Sequence, residues 1–394
     1  MPYVILLYGA TGYSGRLIAT EMALVNKARP GVYRMVLAGR NAECLKALAA
    51  EHAMDYCVFA LDDTQAMANA LRDADVVINA AGPFARTAPK LVGVALDVKC
   101  NYVDINGEAD VYTRLSDNNV TAWHRKLGIV SSAGFWAAAS DLLLDNALVK
   151  LAASHAKLSE IGAIRIAMSR IQTFSRGSAA TVWRSLRQQV KVVRKGRTGP
   201  PGSKEEMKIW HEPVGKLERT FDFGIAADKK PVRRITSATS LVDTLVARET
   251  TIRHKMMAGA IESYVEAGLA ARVGYQVGSV LSPLAALSAV GTLALQPVGL
   301  LAEGPTQEER KKERHIVLLQ IEDMFRGTIL DWRWHTPNVY QFTAQLVVAV
   351  AAQVATRKFK GCLTPAQVLA PLHLPLTTVI GATRNCELHD RSAT

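Results

Sequence analysis

The sequence predicts an α/β protein, with a doubly wound parallel sheet at the N-terminus and a second α+β domain built on an open mixed sheet. Three observations predict it. An apolar run from Val4 to Tyr8 passes through a glycine-rich turn into a helical pattern at Leu17, Ile18 and Met22. Strand-like runs at Met35–Ala38, Cys57–Leu61, Asp75–Phe84 (a strand running into a loop), Asn101–Ile105 and Gly128–Ser132 then alternate with helical segments, the βαβ rhythm of a parallel sheet. Beyond residue 140 the strand-like runs follow one another without regular crossovers.

Composition bounds the function. The 394 residues leave room for two or three cores, and 49% hydrophobic with 21% charged residues excludes both global disorder and a bundle of many membrane spans. A net charge of +12 and a pI near 9.5 admit acidic partners: nucleic acid, a phosphorylated cofactor, an acyl chain on an acidic carrier protein, or an anionic membrane. Nucleic acid fits least, because the basic residues are not interleaved with stacking aromatics, which make up only 6%. The five cysteines include no C-x-x-C, so neither a disulfide framework nor a zinc knuckle is expected, and a reducing cytosol is the natural compartment. Met1 to Leu7 has no basic leader and reads as a first strand rather than a signal peptide.

The turn after the first strand, Gly9-Ala10-Thr11-Gly12-Tyr13-Ser14-Gly15, has the spacing of a dinucleotide-binding fingerprint. Its glycines permit a tight turn, close approach of backbone N–H groups to a pyrophosphate, and close helix–strand packing, with the anion on the helix N-terminus. The alternative is a tight strand-to-helix turn with no ligand. The second strand ends in Gly39-Arg40, twenty-five positions after Gly15, where an NAD site would usually carry Asp or Glu. A guanidinium suits a 2′-phosphate, so NADPH is expected over NADH, the alternative being a solvated Arg at a helix entry. Asp63 ends the third strand, and Ala81-Gly82-Pro83 follows the fourth. Both lie at carboxyl strand ends, where the crevice of a Rossmann-type sheet receives its ligand. The expected cofactor residues are therefore Gly9, Thr11, Gly12, Tyr13, Ser14, Gly15, Arg40, Asp63, Ala81, Gly82 and Pro83.

Taken in order along the chain, several motifs resemble the saccharopine dehydrogenase-like oxidoreductases, the group that includes saccharopine reductases and the trans-acting enoyl reductases. They are GATGYSG, the AGR after the second strand, VVINAAGPF, NYVDINGE at Asn101 to Glu108, Gly134-Phe135 leading to Ser140-Asp141, and Ser175 to Thr181. Glu303-Gly304-Pro305-Thr306-Gln307-Glu308-Glu309-Arg310 resembles a loop of the enoyl reductase branch, and Thr364-Pro365-Ala366-Gln367 is also similar to the family. The resemblance implies an NADP-binding domain facing an open sheet that takes the substrate. It departs at Trp136-Ala137-Ala138-Ala139, where the family commonly has G-F-D-S-x-P-S-D. If that loop lines the nicotinamide, the substrate is bulkier or less polar, or hydride chemistry has been lost.

In the second half, strands are expected at Ile161–Met168, Arg219–Ile225, Val232–Ser237, Ile316–Ile321 and Thr328–Trp334, and a surface loop at Lys195–Lys204. Trp183, Leu186, Val190 and Val193, each followed by a cation, read as a basic amphipathic helix. Such a helix would pack on the core with a solvated basic face, lie on an anionic membrane, or receive an acidic carrier. Val273 to Ala302 is thirty residues without Asp, Glu, Lys or Arg, interrupted by Pro283 and Pro297. It reads as a buried lid or oligomer interface, a lipid or acyl contact, or a span. Asn338 to Ala355 reads as a long helix returning to the nucleotide domain. The expected domains are 1–140, NADP-binding; 141–335, substrate, containing 273–302; and 336–394, the returning helix and tail.

No tyrosine has a lysine four residues later, no two histidines lie within four residues, and G-x-S-x-G is absent, so local short-chain, zinc and serine-hydrolase signatures are lacking. No metal is expected. Hydride transfer needs a protein that orients the acceptor and supplies a proton. Asn106, Glu108 and Asp141 are the catalytic candidates, beside Asp104, with His211 and Tyr102 as weaker ones. Each has a structural alternative: Asp141 as a helix cap, Asp104 as a loop holder. The expected activity is NADPH-dependent reduction of an enoyl C=C bond in an apolar or acyl-type substrate. The alternatives are a saccharopine-type imine reductase and a non-catalytic nucleotide-binding scaffold at a lipid surface. Expected partners are a small-molecule or acyl substrate, carried on an acidic protein in one variant, and a second copy of the chain, with cytoplasmic location and a peripheral membrane contact.

Overall fold

The computed structural model describes residues 1–154, 160–171, 173–185, 189–197, 205–212, 216–224, 233–238, 242–266, 303–325, 327–369 and 387–392. The elements run β1 (Tyr3–Tyr8), α1 (Tyr13–Ala28), β2 (Tyr33–Gly39), α2 (Ala42–His52), β3 (Asp55–Val58), α3 (Thr64–Arg72), β4 (Val76–Asn79), α4 (Phe84–Val98), β5 (Asn101–Asp104), α5 (Ala109–Ser116), α6 (Asn119–Arg125) and β6 (Gly128–Val130). They continue with α7 (Phe135–Ser154), β7 (Glu160–Met168), α8 (Arg176–Ser185), β8 (Val190–Arg197), β9 (Glu205–Glu212), β10 (Glu218–Asp222), β11 (Arg233–Ala238), α9 (Asp243–Arg253) and β12 (Met257–Glu266). After residue 302 come α10 (Gln307–Lys312), β13 (His315–Asp323), β14 (Gly327–Thr336), α11 (Val339–Thr356), β15 (Gly361–Leu363), α12 (Pro365–Leu369) and β16 (Glu387–Asp390). The chain divides into two units: Met1–Ala138 with Val339–Thr383, and Ala139–Asn338 with Arg384–Thr394.

The first unit holds a seven-stranded sheet in the order β15-β6-β5-β4-β1-β2-β3, parallel at every pairing. The strands at its centre are apolar at consecutive positions because helices cover both faces: Ile5, Leu6 and Leu7 of β1 and Val76, Val77 and Ile78 of β4 are all buried. The chain leaves β1 to one side for β2 and returns on the other side at β4, so a crevice opens at the carboxyl ends of these two strands. The returning helix α11, with no charged residue, lies against β1, β4, β5 and α1, and the Tyr13 and Tyr340 rings meet edge to face at 5.0 Å. Length and apolarity alone would let α11 cross a membrane, but 72% of it is buried inside the protein, as a core helix is.

The second unit is built on a mixed sheet in the order β10-β11-β12-β7-β13-β14-β16, with β8 pairing β12 and β9. β7 and β12 are parallel and the other pairs antiparallel. Arg165 on β7, Glu262 on β12 and Glu322 on β13 form a buried ion cluster on this sheet, which Arg194, Arg219 and Tyr264 join.

Several expectations are corrected. The basic amphipathic helix does not run through to Val193: Val190, Val193 and Arg194 belong to β8, paired with β9 and β12, and residues 186–188 lie outside the described residues. Helical spacing there competed with a β-branched run whose long-range pairing is invisible locally. Of the expected Lys195–Lys204 loop, Lys195, Gly196 and Arg197 belong to β8, and residues 198–204 lie outside the described residues. Strand β12, the partner of β7, passed unnoticed in the sequence. Trp136 to Ala139 is the first turn of α7 rather than a loop, with Ala137, Ala138 and Ala139 buried. Residues 387–392 belong to the second unit, where β16 pairs β14. The apolar segment 273–302 lies outside the described residues.

Candidate cofactor and active site

The glycine turn is held by short backbone bonds: the Gly9 amide donates to Ala38 O at 2.9 Å and the Gly12 amide to Gly9 O at 3.1 Å. Gly9 sits at φ +84°, and a Cβ there would meet the Ala81 amide nitrogen at 2.7 Å. At Gly15 a Cβ would stand 2.1 Å from Gly9 O, so only glycine lets α1 start this close to the strand. Gly12 caps α1, which has no side-chain cap and no acidic residue in its first turn. No carboxylate of α1's own first turn therefore competes with an anion at the positive end of the helix. Tyr13 and Ser14 form the first turn and are half-buried.

Thr11 and Arg40 line one open cavity of about 570 Å³, together with Asn41, Ala42 and Glu43. Asn41 caps α2 by accepting from the Cys44 amide at 3.0 Å, which fixes the loop that carries the exposed Arg40. Burial raises the Tyr8 phenol at the end of β1 above its ordinary value; Arg40 opposes this and Asp62 adds to it. Asp63 is exposed and caps α3, accepting from the Ala66 amide at 2.9 Å, and it is not among the residues lining that cavity.

A buried polar network stands behind Ala81, Gly82 and Pro83. Asn79, the last residue of β4, accepts from the Ala81 amide at 3.0 Å and donates to Thr87 Oγ1 at 3.1 Å and to Tyr102 Oη at 3.0 Å. Thr87 Oγ1 closes the loop by donating to Ala81 O at 2.7 Å. Tyr102 Oη donates to Asp104 Oδ2 at 3.0 Å. Asp104 Oδ1 accepts from the Asn106 amide at 3.0 Å and the Ser132 amide at 2.7 Å, and Ser131 Oγ lies 3.0 and 3.1 Å from its two oxygens. Burial pushes the Asp104 carboxyl up to about 6 although these donors pull it down, and it lifts the Tyr102 phenol well above its ordinary value. Pro83 precedes α4, which likewise has no side-chain cap.

Asn106 is buried and spans its own loop, accepting from the Glu108 amide at 2.8 Å and donating to Glu108 O at 3.0 Å. Glu108 is half-buried at the start of α5. Asp141 lies in the second unit, inside α7 rather than capping it, fully buried, and accepts from Thr250 Oγ1 of α9. His211 is exposed on β9. The structure thus brings Asn106 and Glu108 to the carboxyl ends of the first sheet, and Asp141 to the seam between α7 and α9. Sequence reasoning missed Asn79, Thr87, Ser131 and Ser132. The two-residue period of β5, which puts Tyr102 and Asp104 on one face, was the available signal. Among the described residues no group of His, Cys, Asp and Glu is arranged to hold a metal. Burial pushes the Cys57 and Cys362 thiols up to about 11 and about 12, which makes them poor nucleophiles.

Residues 5–127 match the family described as the saccharopine dehydrogenase NADP binding domain. A trans-acting enoyl reductase of Mycobacterium leprae is 33% identical over 151 residues, covering 35% of this chain and 34% of that protein. One of Mycobacterium tuberculosis is 32% identical over 149 residues, covering 35% and 34%. The chain spans about a third of the length of these relatives. Over its whole length the fold is similar to apo saccharopine dehydrogenase (L-Glu forming) from Saccharomyces cerevisiae, with a TM-score of 0.62 at 13% identity and full coverage of both chains.

Proposed function

We propose that this chain, whose residues 5–127 form a saccharopine dehydrogenase-type NADP-binding domain, is an NADPH-dependent reductase of a C=C bond in an apolar or acyl-type substrate. One observation carries the reading: Arg40 and Thr11, the latter in the glycine turn that leads into the uncapped start of α1, line one open crevice, which Glu43 also borders. Phosphate charge has two places to bind there, the helix terminus for the pyrophosphate and the Arg40 fork for a 2′-phosphate. NADPH supplies the hydride when bound. The chain's own residues hold the pyrophosphate on Gly9 to Gly15, shape the nicotinamide side through Ala81, Gly82 and Pro83, and offer Asn106, Glu108 and Asp141 as candidates to orient the acceptor or deliver a proton.

The enoyl substrate is supported by the relatives' names and by the lean second-sheet charge. In the described part of that sheet, Arg165, Arg194 and Arg219 gather on Glu262 and Glu322, which leaves one net positive charge in the cluster. A saccharopine-type imine substrate, with two or three carboxylates, would want more. The free cysteines Cys44, Cys57, Cys100 and Cys362 fit a reducing, cytosolic setting. An acidic carrier for the acyl chain and a peripheral membrane contact belong to the same proposal on the strength of the +12 charge, and self-association on the charge-free sequence from 273 to 302.

Fluorescence titration with NADPH and NADH tests the cofactor. NADPH binds more tightly, and Arg40→Ala weakens it by ~10- to 100-fold, the weight of charge-assisted hydrogen bonds, while NADH changes by less than about twofold. An NADPH oxidation screen over enoyl and imine acceptors then decides the substrate. Failure of the folded protein to bind either nucleotide overturns the reading and favours a scaffold.

A further inference from the structure

Three loops leave the first sheet on its ligand side, after β4, β5 and β6, and the hydrogen bonds of all three lead to one carboxylate. Asp104 reaches the loop after β5 through the Asn106 amide, the loop after β6 through Ser131 and Ser132, and the loop after β4 through Tyr102, Asn79 and the Ala81 amide. Ala81 is also the residue against which Gly9 packs, so the same chain of bonds ends on the pyrophosphate turn. Ser132 adopts a left-handed φ of +68° beside it, and the Ala133 amide donates to Asp104 O at 2.8 Å. We propose that Asp104 is the positioning residue of the dinucleotide site: its ionised carboxylate holds the three loops in the binding arrangement, and its protonation releases the Ala81 loop.

The hydrogen-bond inventory explains why one proton matters. A carboxylate only accepts, and here it meets four donor groups. The two backbone amides both donate to Oδ1 and cannot reverse, so a proton must sit on Oδ2, facing Tyr102 and Ser131. Whichever of Ser131 Oγ and Tyr102 Oη takes the new proton, a protonated Oδ2 is a weaker acceptor than a carboxylate oxygen, so the Tyr102 bond that begins the relay through Asn79 to Ala81 slackens. Burial brings this proton within reach of the neutral range, the carboxyl standing at about 6. The elements packed on β5 are β4, β6, α4 and α11. β4, β6 and α11 carry no charged residue, and Arg86, Lys90 and Asp97 of α4 are exposed. Tyr102 is the titratable group that touches Asp104, with Glu108 beyond Asn106.

The inference rests on the NADP reading, and the test separates the two. Dissociation constants for NADPH and for NADH, which lacks the titrating 2′-phosphate, are measured from pH 5.5 to 8 on the full chain, on Asp104→Asn and on Tyr102→Phe. In the wild type, affinity for both nucleotides falls by about two- to threefold toward pH 5.5, where about three quarters of Asp104 carries its proton and the protonated form binds about fivefold more weakly, the weight of one net hydrogen bond. Asp104→Asn, fixed as the neutral form, shows the weaker affinity at every pH and a flat NADH profile. Tyr102→Phe, which cuts the relay between Asp104 and Asn79 and keeps the proposal testable should Asp104→Asn fail to fold, binds both nucleotides more weakly and gives a flat NADH profile. A purely structural role would lower affinity and leave the slope of that profile unchanged. Wild-type binding with an NADH profile that is flat, or that keeps its wild-type slope in Tyr102→Phe, overturns the positioning role and leaves the NADP reading standing. Absence of binding in the wild type at every pH overturns both.

Discussion

Gly15 shows how little freedom the cofactor turn has. A methyl group there would stand 2.1 Å from Gly9 O and 2.7 Å from Ala10 O, both backbone atoms, so α1 must retreat from β1 to admit it. Gly15→Ala is expected to abolish measurable NADPH binding and to lower stability by about 1–3 kcal/mol, as overpacking does, read by fluorescence titration and thermal melting. Two buried carboxyls set the pH dependence of folding. Asp104 and Asp243 both stand at about 6 in the folded chain because burial outweighs their hydrogen bonds, against 3.8 ordinarily. Between these values the native state binds protons that the unfolded state does not, so stability falls as pH rises from about 4 to about 6, by ~3 kcal/mol for each group. Urea unfolding at pH 4 and pH 7 reads most of the difference, and Asp104→Asn removes its half. The glycine turn was legible in the sequence because the contacts that hold it are set by glycine spacing at the end of one strand. The partners of Asp104 were not, since Ser131 and Ser132 lie more than 25 residues away along the chain.

At the scale of elements, α7 and α9 are joined by polar contacts rather than by an apolar stripe alone. Asp141 accepts from Thr250; Ser140 Oγ donates to Asp243 Oδ1 at 3.4 Å; Asp145 meets Arg253 and, at 2.7 Å, His254. Such a seam is costly to break, because a buried carboxylate that loses a donor keeps its desolvation penalty. Thr250→Val is expected to destabilise the protein by about 1–3 kcal/mol in chemical denaturation while leaving NADPH affinity unchanged, since the residues proposed to bind the nucleotide lie in the first unit. An unchanged midpoint would show that the Asp141 hydroxyl contact carries no weight. Helix α11 illustrates the opposite case. Its apolar run and lack of charge made it legible as a helix, and its insertion against β1, β4 and β5 explains why nearly every side of it is apolar. β8 and β12 escaped because a strand's identity is fixed by its partners, β9 and β7, and not by its own residues.

For the molecule as a whole, the order of the chain and the order of the units differ. The first unit is interrupted after Ala138 and completed by Val339–Thr383, which supply α11 and the edge strand β15. A fragment of residues 1–138 therefore leaves the face of β1, β4 and β5 uncovered. It is expected to melt without cooperativity and to bind a hydrophobic dye, whereas the same fragment joined to residues 339–383 recovers a cooperative transition and NADPH binding. Calorimetry of both fragments reads the outcome, and a cooperative melt of 1–138 alone would count against it.

The sequence by itself determined the parallel nucleotide-binding sheet, the glycine turn and the Arg40 position, because continuous apolar strands, glycine spacing and a charge at a strand end act within some forty residues. It also marked α11 and the motifs shared with the reductases. Only the tertiary structure decided that the basic segment around Val190 is a strand, that Asp141 is buried against Thr250, and that Asp104 gathers three loops. Those facts depend on hydrogen bonds and burial between residues far apart in the chain, and a side chain's partners, unlike its periodicity, exist only once the chain has folded.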